Sequence, residues 1–288
     1  MAEGTADPRA AHAAEVASWR ADRDARLRRK DGWLTLAGLF WLRSGDNAVG
    51  SGKQNDIVLP ASAPAEVGNI TVAAGKATFV AKAPVLVDDR EYTGPVLLKS
   101  DQEGAPTVLR TGSVSFHLID RSGTLGIRIK DSESPILHGF RGIDSFPVAW
   151  SWRVQAHYQP YETPKKLKIP SAQGTVEDEQ APGYVEFEVA GKSYRLDVLP
   201  GSEEGGEVFL IFGDATNGKE SYGAGRFLYA TVAGDSLARP AAVTVDFNFA
   251  YNPPCAFTPY ATCPLPPPQN VLPIRIEAGE KAYGDLPH

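Results

Sequence analysis

Arg226 is the residue of this chain whose chemistry best suits gripping an anion. It stands in SYGAGRFLYA, on a predicted strand between glycines and the aromatics Phe227 and Tyr229. An arginine so placed either points into a barrel or cleft, where its planar fork can hold a carboxylate or phosphate, or lies on the surface paired with Asp or Glu. Just upstream, Asp214, Thr216, Asn217 and Gly218 form a turn. A tight hairpin explains Asn217 and Gly218. It explains Asp214 less well. Downstream, Asp246 and Asn248 alternate with Phe247 and Phe249, which places them on one face of a predicted strand. Tyr251 and Asn252 follow, and Tyr222 precedes Arg226. Together these side chains offer donors and acceptors for a small polar or anionic ligand. Asp246, Asn248 and Asn252 have a second reading, as partners for the backbone groups of the loop that follows.

That loop is the most distinctive stretch of the chain. Asp246 to Lys281 holds both cysteines and eight of the 23 prolines, with many aromatics and little charge until its end. Such a composition predicts an ordered loop, shaped by proline and packed through its aromatics. Ordered long loops are where sites tend to sit. Cys255 and Cys263 are eight apart, with no histidine nearby in sequence, so no metal is expected. Two buried thiols packing the loop is the leading reading, and a disulfide is the alternative. The five histidines (His12, His117, His138, His157 and His288) are dispersed. His157 shares a predicted solvent face with Arg153 and Gln155, and His117 alternates in the same way with Ser115 and Ile119. There is no Gly-x-Ser-x-Gly elbow, His-Glu-x-x-His pair, Walker loop or dinucleotide fingerprint. No cofactor is expected.

Composition narrows the classes. The chain has 288 residues, 42% hydrophobic and 22% charged, with a formal net charge of −6. These values fit a globular protein with a sizeable core. The acidic balance argues against nucleic acid as a partner, because phosphate binding needs concentrated Lys and Arg. The one basic cluster, Arg20 to Lys30, is broken by Asp22 and Asp24 and reads as a solvated helix face. No run of about 18 apolar residues marks a membrane span. The N-terminus lacks the pattern of an export signal, which predicts a cytoplasmic location.

One helix is expected, over residues 8–30. It is alanine-rich, with Asp7 and Pro8 as an N-terminal cap and first-turn pair and Gly32 beyond its end. Strand patterns dominate the rest: 33–42, 55–60, 68–82, 83–89, 94–100, 114–120 and 125–131 in the first half. Residues 44–56 read as a polar connection and 132–152 as a bridge. Strands follow over 152–161, 183–200 (a hairpin turning at Ala-Gly-Lys), 207–216, 226–232 and 242–251, with a last one over 270–280.

The tail, with FGDATNGKESYGAGRFL (212–228), DGWLTLAGLFWL (31–42), GIRIKDSESP (126–135) and FRGIDSFPVAWSWRVQAHYQPY (140–161), resembles domain-of-unknown-function family 1684 over about residues 15–284. The resemblance implies an uncharacterised, mostly β protein and no particular reaction. A weaker resemblance, in FWLRSGDNAVGSGKQNDIVLP, is to the start of forkhead-associated domains and implies a similar β-sandwich. The arginine and the Ser-x-x-His with which those domains read phosphothreonine are missing here. The expected architecture is mostly β: an N-terminal helix (1–30), a forkhead-associated-like antiparallel sandwich (31–135) and a barrel-like antiparallel unit closed by the tail (136–288). The expected function is small-ligand binding in the C-terminal unit. The alternatives are a hydrolase or lyase with Asp214 or Asp246 as base and Arg226 as clamp, and an interaction module docking through the N-terminal sandwich.

Overall fold

The computed structural model describes residues 7–201, 205–234 and 236–284. Residues 1–6 of the predicted N-terminal segment and His288 lie outside them. The protein is mostly β, with one long helix and antiparallel sheets. The chain divides into two compact units. One is Leu27–Phe140 with Thr258–Ala261; the other is Arg141–Phe257 with the N-terminal helix and the tail from Thr262 onward.

In the first unit, β1 (Leu36–Trp41), β2 (Gly45–Gly50), β3 (Ile57–Val58), β4 (Gly68–Ala73), β5 (Lys76–Ala81), β6 (Leu86–Val87), β7 (Arg90–Glu91), β8 (Val96–Leu97), β9 (Val108–Thr111), β10 (Val114–Arg121) and β11 (Thr124–Asp131) form two sheets. Their orders are β1-β11-β10-β9-β6-β7 and β3-β2-β4-β5-β8. Phe79, Phe116, Ile70, Leu109, Ile127 and Ile129 lie at the centre of a shared apolar core. Burial alternates along β9 and the first half of β10, as the period of two requires of a sheet with one face inward. Gly45–Gly50 is a strand rather than part of a polar connection. Asn47 explains why: its side chain is buried and bonds the carbonyls of Arg43, Gly45 and Ile70, so a polar residue takes an inward position at no cost in unmade bonds. The predicted bridge over 132–152 carries the short helix α2 (Pro135–Gly139), capped by Ser134, and a 3-10 turn at Trp150–Trp152.

The second unit is built on β12 (Arg153–Pro170), β13 (Val176–Val189), β14 (Lys192–Pro200), β15 (Glu207–Phe212), β16 (Arg226–Thr231) and β17 (Ala241–Asp246). The order β16-β15-β14-β13-β12-β17 is antiparallel throughout, and a bridge between Val232 and Val243 draws the two edge strands together. The sheet is therefore a nearly closed barrel. Closure removes the unpaired edges that an open sheet would present. Its interior is filled by Tyr158, Val185, Leu196, Leu210, Phe212, Leu228, Val245 and Phe247. On β12, Val154, Ala156 and Tyr158 face this core while Arg153, Gln155 and His157 face outward, as the alternation predicts.

The helix α1 (Pro8–Leu27) belongs to this unit. Asp7 accepts the N–H of Arg9 at 3.0 Å, the expected cap. The tail departs from expectation in two places. β17 ends at Asp246, and Phe247–Phe249 is a 3-10 turn, so Asp246 and Asn248 do not alternate on one strand. Residues 270–280 form isolated bridges, with Gly213 at Val271 and with Ser145 at Glu280, in place of a strand. The Asp246 side chain caps the first turn through the Asn248 N–H, and proline accounts for the lack of a ladder beyond it. Pro253, Pro254, Pro264, Pro266, Pro267, Pro268 and Pro273 lack the N–H that a ladder needs, and the backbone turns to side chains for partners.

Candidate functional site

Arg226 opens β16 immediately after Gly225, whose φ is +90°. A Cβ at position 225 would lie 2.6 Å from the Phe212 carbonyl oxygen and 2.5 Å from Pro266 Cγ, so only glycine allows the approach. The guanidinium that follows is fully buried. Its Nη2 lies 3.3 Å from Asp214 Oδ1 and donates to the Ile276 carbonyl at 3.0 Å; its Nη1 donates to the carbonyls of Ala278 and Glu280. Burial lowers the Arg226 pKa, opposed by the Asp214 charge. Asp214 in turn accepts the Ile276 N–H at 2.6 Å and the Thr216 hydroxyl at 2.7 Å. The pair is a bracket for the tail. Each terminal nitrogen of the fork is committed to this chain.

Asn248 and Asn252 do the same work nearby. Asn248, fully buried, exchanges two hydrogen bonds with the backbone of Ala149 and donates to Asp246 Oδ1 at 2.8 Å. Asn252 donates its backbone N–H to Glu280 at 2.6 Å and its amide to the Lys281 carbonyl at 2.7 Å. Glu280 is buried too. Burial pushes its carboxyl upward, against Arg23 of α1, which donates to it at 2.9 Å and to the Asn252 carbonyl at 2.8 Å. The Arg23 guanidinium also lies over the Tyr251 ring, 4.6 Å from its centroid. Tyr251 stacks with Tyr229 and meets Phe227 edge to face, and burial raises its phenol well above the ordinary value. Tyr222 bonds the Cys255 thiol, and burial raises its phenol as well.

Asp246 faces a different place. As the last residue of β17 it pairs with Arg153 of β12. Its Oδ1 caps the 3-10 turn through the Asn248 N–H at 3.1 Å. Its Oδ2 meets His12 Nε2 at 2.6 Å and lies 3.7 Å from Arg153 Nε. His12 is held edge to face by Trp150 and Phe249. In front of this cluster is a cavity of about 280 Å³, lined by Glu15, Arg153, Glu207, Tyr229, Ala230, Thr231, Thr244, Asp246 and Phe249. The wall holds three carboxylates, one guanidinium, three hydroxyls and two aromatic rings. Burial raises the Tyr229 phenol, with the Glu207 charge adding to it. A second concavity of about 380 Å³ lies at the Glu177 and Glu179 face of β13, where burial and Glu177 raise the Glu179 carboxyl.

The seven residues singled out from sequence thus fall into separate settings. Asp214 and Arg226 form one bracket; Asn248 and Asn252 anchor the tail; Tyr251 and Tyr222 pack it. Asp246 lines the cavity, and it shares no hydrogen-bond partner with Arg226 among the described residues. Glu15, Arg153, Glu207 and Tyr229 line the wall with it, His12 holds Asp246, and none of these five was anticipated. The spacing of His12 and Glu15, three apart on one helix face, is the one local signal for them.

The sequence pattern of DUF1684, described as a protein of unknown function, matches residues 138–281, half of the chain. The chain belongs to the DUF1684 family. Both the Arg226 bracket and the wall residues Arg153, Glu207, Tyr229 and Asp246 lie within the matched part. A solution NMR structure of an uncharacterised protein from Haloarcula marismortui is 30% identical to this DUF1684 chain, covering 52% of it and 80% of the archaeal protein, with a TM-score of 0.43. No curated protein matches this DUF1684 member. Among the described residues, no helix is long and apolar enough to cross a membrane.

Proposed function

We propose that the barrel unit binds a small polar molecule bearing a positive charge, in the cavity beside Asp246. The observation that carries this reading is the charge of the wall: Glu15, Glu207 and Asp246 against Arg153 alone. Asp246 already has His12 and Arg153 as partners, which leaves the Glu15 and Glu207 carboxylates to meet a cation. Phe249 and the Tyr229 ring give an aromatic surface suited to an ammonium group. The hydroxyls of Thr231 and Thr244 suit further polar groups of the same ligand. At about 280 Å³ the cavity is at the lower end for ligand sites, the size of a metabolite rather than a peptide. The anion suggested by Arg226 fits less well, since that guanidinium is spent on Asp214 and the tail. The same commitment takes the electrostatic clamp away from a hydrolase or lyase reading.

The test is titration calorimetry against matched small amines and carboxylic acids, with Glu207→Gln and Tyr229→Phe as variants. An amine hit should weaken about ten-fold in Glu207→Gln, the worth of one charge-assisted hydrogen bond. Binding of acids in preference to amines, or amine binding indifferent to both variants, would overturn the proposal.

A further inference from the structure

The two cysteines meet in space, in the part of the tail that neither the Arg226 bracket nor the cavity uses. Cys255 lies in the 3-10 turn Pro254–Ala256, and its N–H donates to Cys263 Sγ at 3.2 Å. Its thiol is hydrogen-bonded by the Cys263 thiol and by the Tyr222 hydroxyl. Both backbones are fixed. The Ala256 N–H bonds the Pro253 carbonyl at 2.9 Å, and the Cys263 carbonyl accepts from the Ala172 N–H at 2.9 Å. Cys255 is half-buried and Cys263 is buried. The two thiols therefore differ in access while touching. The hydrogen bond from Cys263 lowers the Cys255 thiol pKa, against the effect of burial and with help from Tyr222. A half-buried thiol with added thiolate character beside a second, more deeply buried one is the arrangement in which sulfur chemistry closes on itself.

We propose that Cys255 and Cys263 are a reversible disulfide pair, with Cys255 meeting the oxidant and Cys263 closing the bond. The oxidant is a small disulfide. The Cys255 thiolate attacks one of its sulfurs, forming a mixed disulfide and releasing one thiol. The Cys263 thiolate then attacks the Cys255 sulfur, and the second small thiol leaves. The protein gives up two thiol protons and two electrons; the small disulfide takes both and becomes two thiols. Packing alone does not require this contact. Two thiols that merely fill space do not need one sulfur to accept both the other thiol and a tyrosine hydroxyl.

The experiment uses the full chain, reduced, freed of reductant and exposed to oxidised glutathione. The reaction is quenched in acid, free thiols are alkylated under denaturing conditions, and the protein is mapped by mass spectrometry. The expected product is a single intramolecular Cys255–Cys263 cross-link, reversed by dithiothreitol, with no lasting glutathione adduct. Cys263→Ser should trap glutathione on Cys255. Cys255→Ser should react about ten-fold more slowly, because the remaining thiol is buried. A stable glutathione adduct on the wild-type chain, a cross-link between chains, or native thiols that stay unreacted while the unfolded chain oxidises would each overturn the proposal. The wild-type map needs no variant, so a variant that fails to fold leaves the test intact.

Discussion

At the scale of single residues, Arg226 and Asp214 form a charge pair sealed from solvent. Both side chains are fully buried, and each holds backbone groups of the tail as well as the other. Removing one member of such a pair is costly, because the survivor keeps its charge without a counter-charge or water. Arg226→Met should therefore destabilise the chain by about 3–5 kcal/mol in urea titrations monitored by circular dichroism. Arg226→Met combined with Asp214→Asn should recover part of that loss, because no uncompensated charge remains. If Arg226 instead served only a ligand, the single variant would keep its urea midpoint and lose only binding. Asp246 differs from this pair in having one side open to the cavity. Its His12 partner lies 234 positions away in sequence. No local pattern announces a contact of that range, which is why the cavity wall was hidden from sequence while the polar residues of the tail were not.

Among the elements, what was legible depended on how far the deciding partner lay. The hairpin of β13 and β14 follows from alternation alone: Val185 and Phe187 face inward across from Leu196 and Tyr194, and the turn falls at Ala190 and Gly191, where Ala-Gly-Lys placed it. The helix α1 was equally clear from its alanines and its cap. Strand β2 was not, because Asn47 is paid for by three carbonyls that only the fold supplies. The tail was misread as strand at both ends because its order comes from buried side chains and not from a ladder. The turn at Ala190 offers a test of the local rule. Ala190 has φ of +52° and Gly191 +75°, the geometry of a type I′ turn. Alanine is strained there and asparagine is tolerated. Ala190→Asn should raise stability by about 0.5–1 kcal/mol, seen as a higher melting temperature in calorimetry. A second element-level prediction concerns α1. Arg23 joins the helix to Glu280, to the Asn252 carbonyl and to the Tyr251 ring. Arg23→Ala should leave the Glu280 carboxyl buried with the Asn252 N–H but without its Arg23 ion pair. Hydrogen exchange should then speed up in α1 and in residues 250–252, with the barrel strands unaffected.

At the scale of the whole molecule, His117 makes a contribution to stability that is lost on mild acidification, while the raised Glu280 and Glu179 carboxyls act in the opposite direction. His117 sits on β10, paired across to Arg128 of β11. Burial and the charges of Arg128 and Lys130, with a smaller one from Arg121 and an opposing one from Asp101, lower its pKa from 6.5 to about 4. In the unfolded chain His117 takes up a proton near pH 6.5; in the folded chain it resists until about pH 4. Between those values the unfolded state binds more protons, so acid favours unfolding. The contribution is fully present above pH 6.5 and is lost as pH falls toward 4. The gap corresponds to roughly 3 kcal/mol. Carboxylates held below their ordinary pKa add a separate acid loss at lower pH. Asp101, paired with Arg121, and Asp197, bonded by Lys165, Tyr161 and Gln269, are the best buried of them. They titrate below the His117 window, so the two effects are separable. Between pH 6.5 and 4.5 the urea midpoint of the wild-type chain should fall relative to that of His117→Gln, which keeps a polar side chain without the titration and carries the same raised carboxyls. An equal drop in both proteins would place the proton uptake elsewhere and remove His117 from the account.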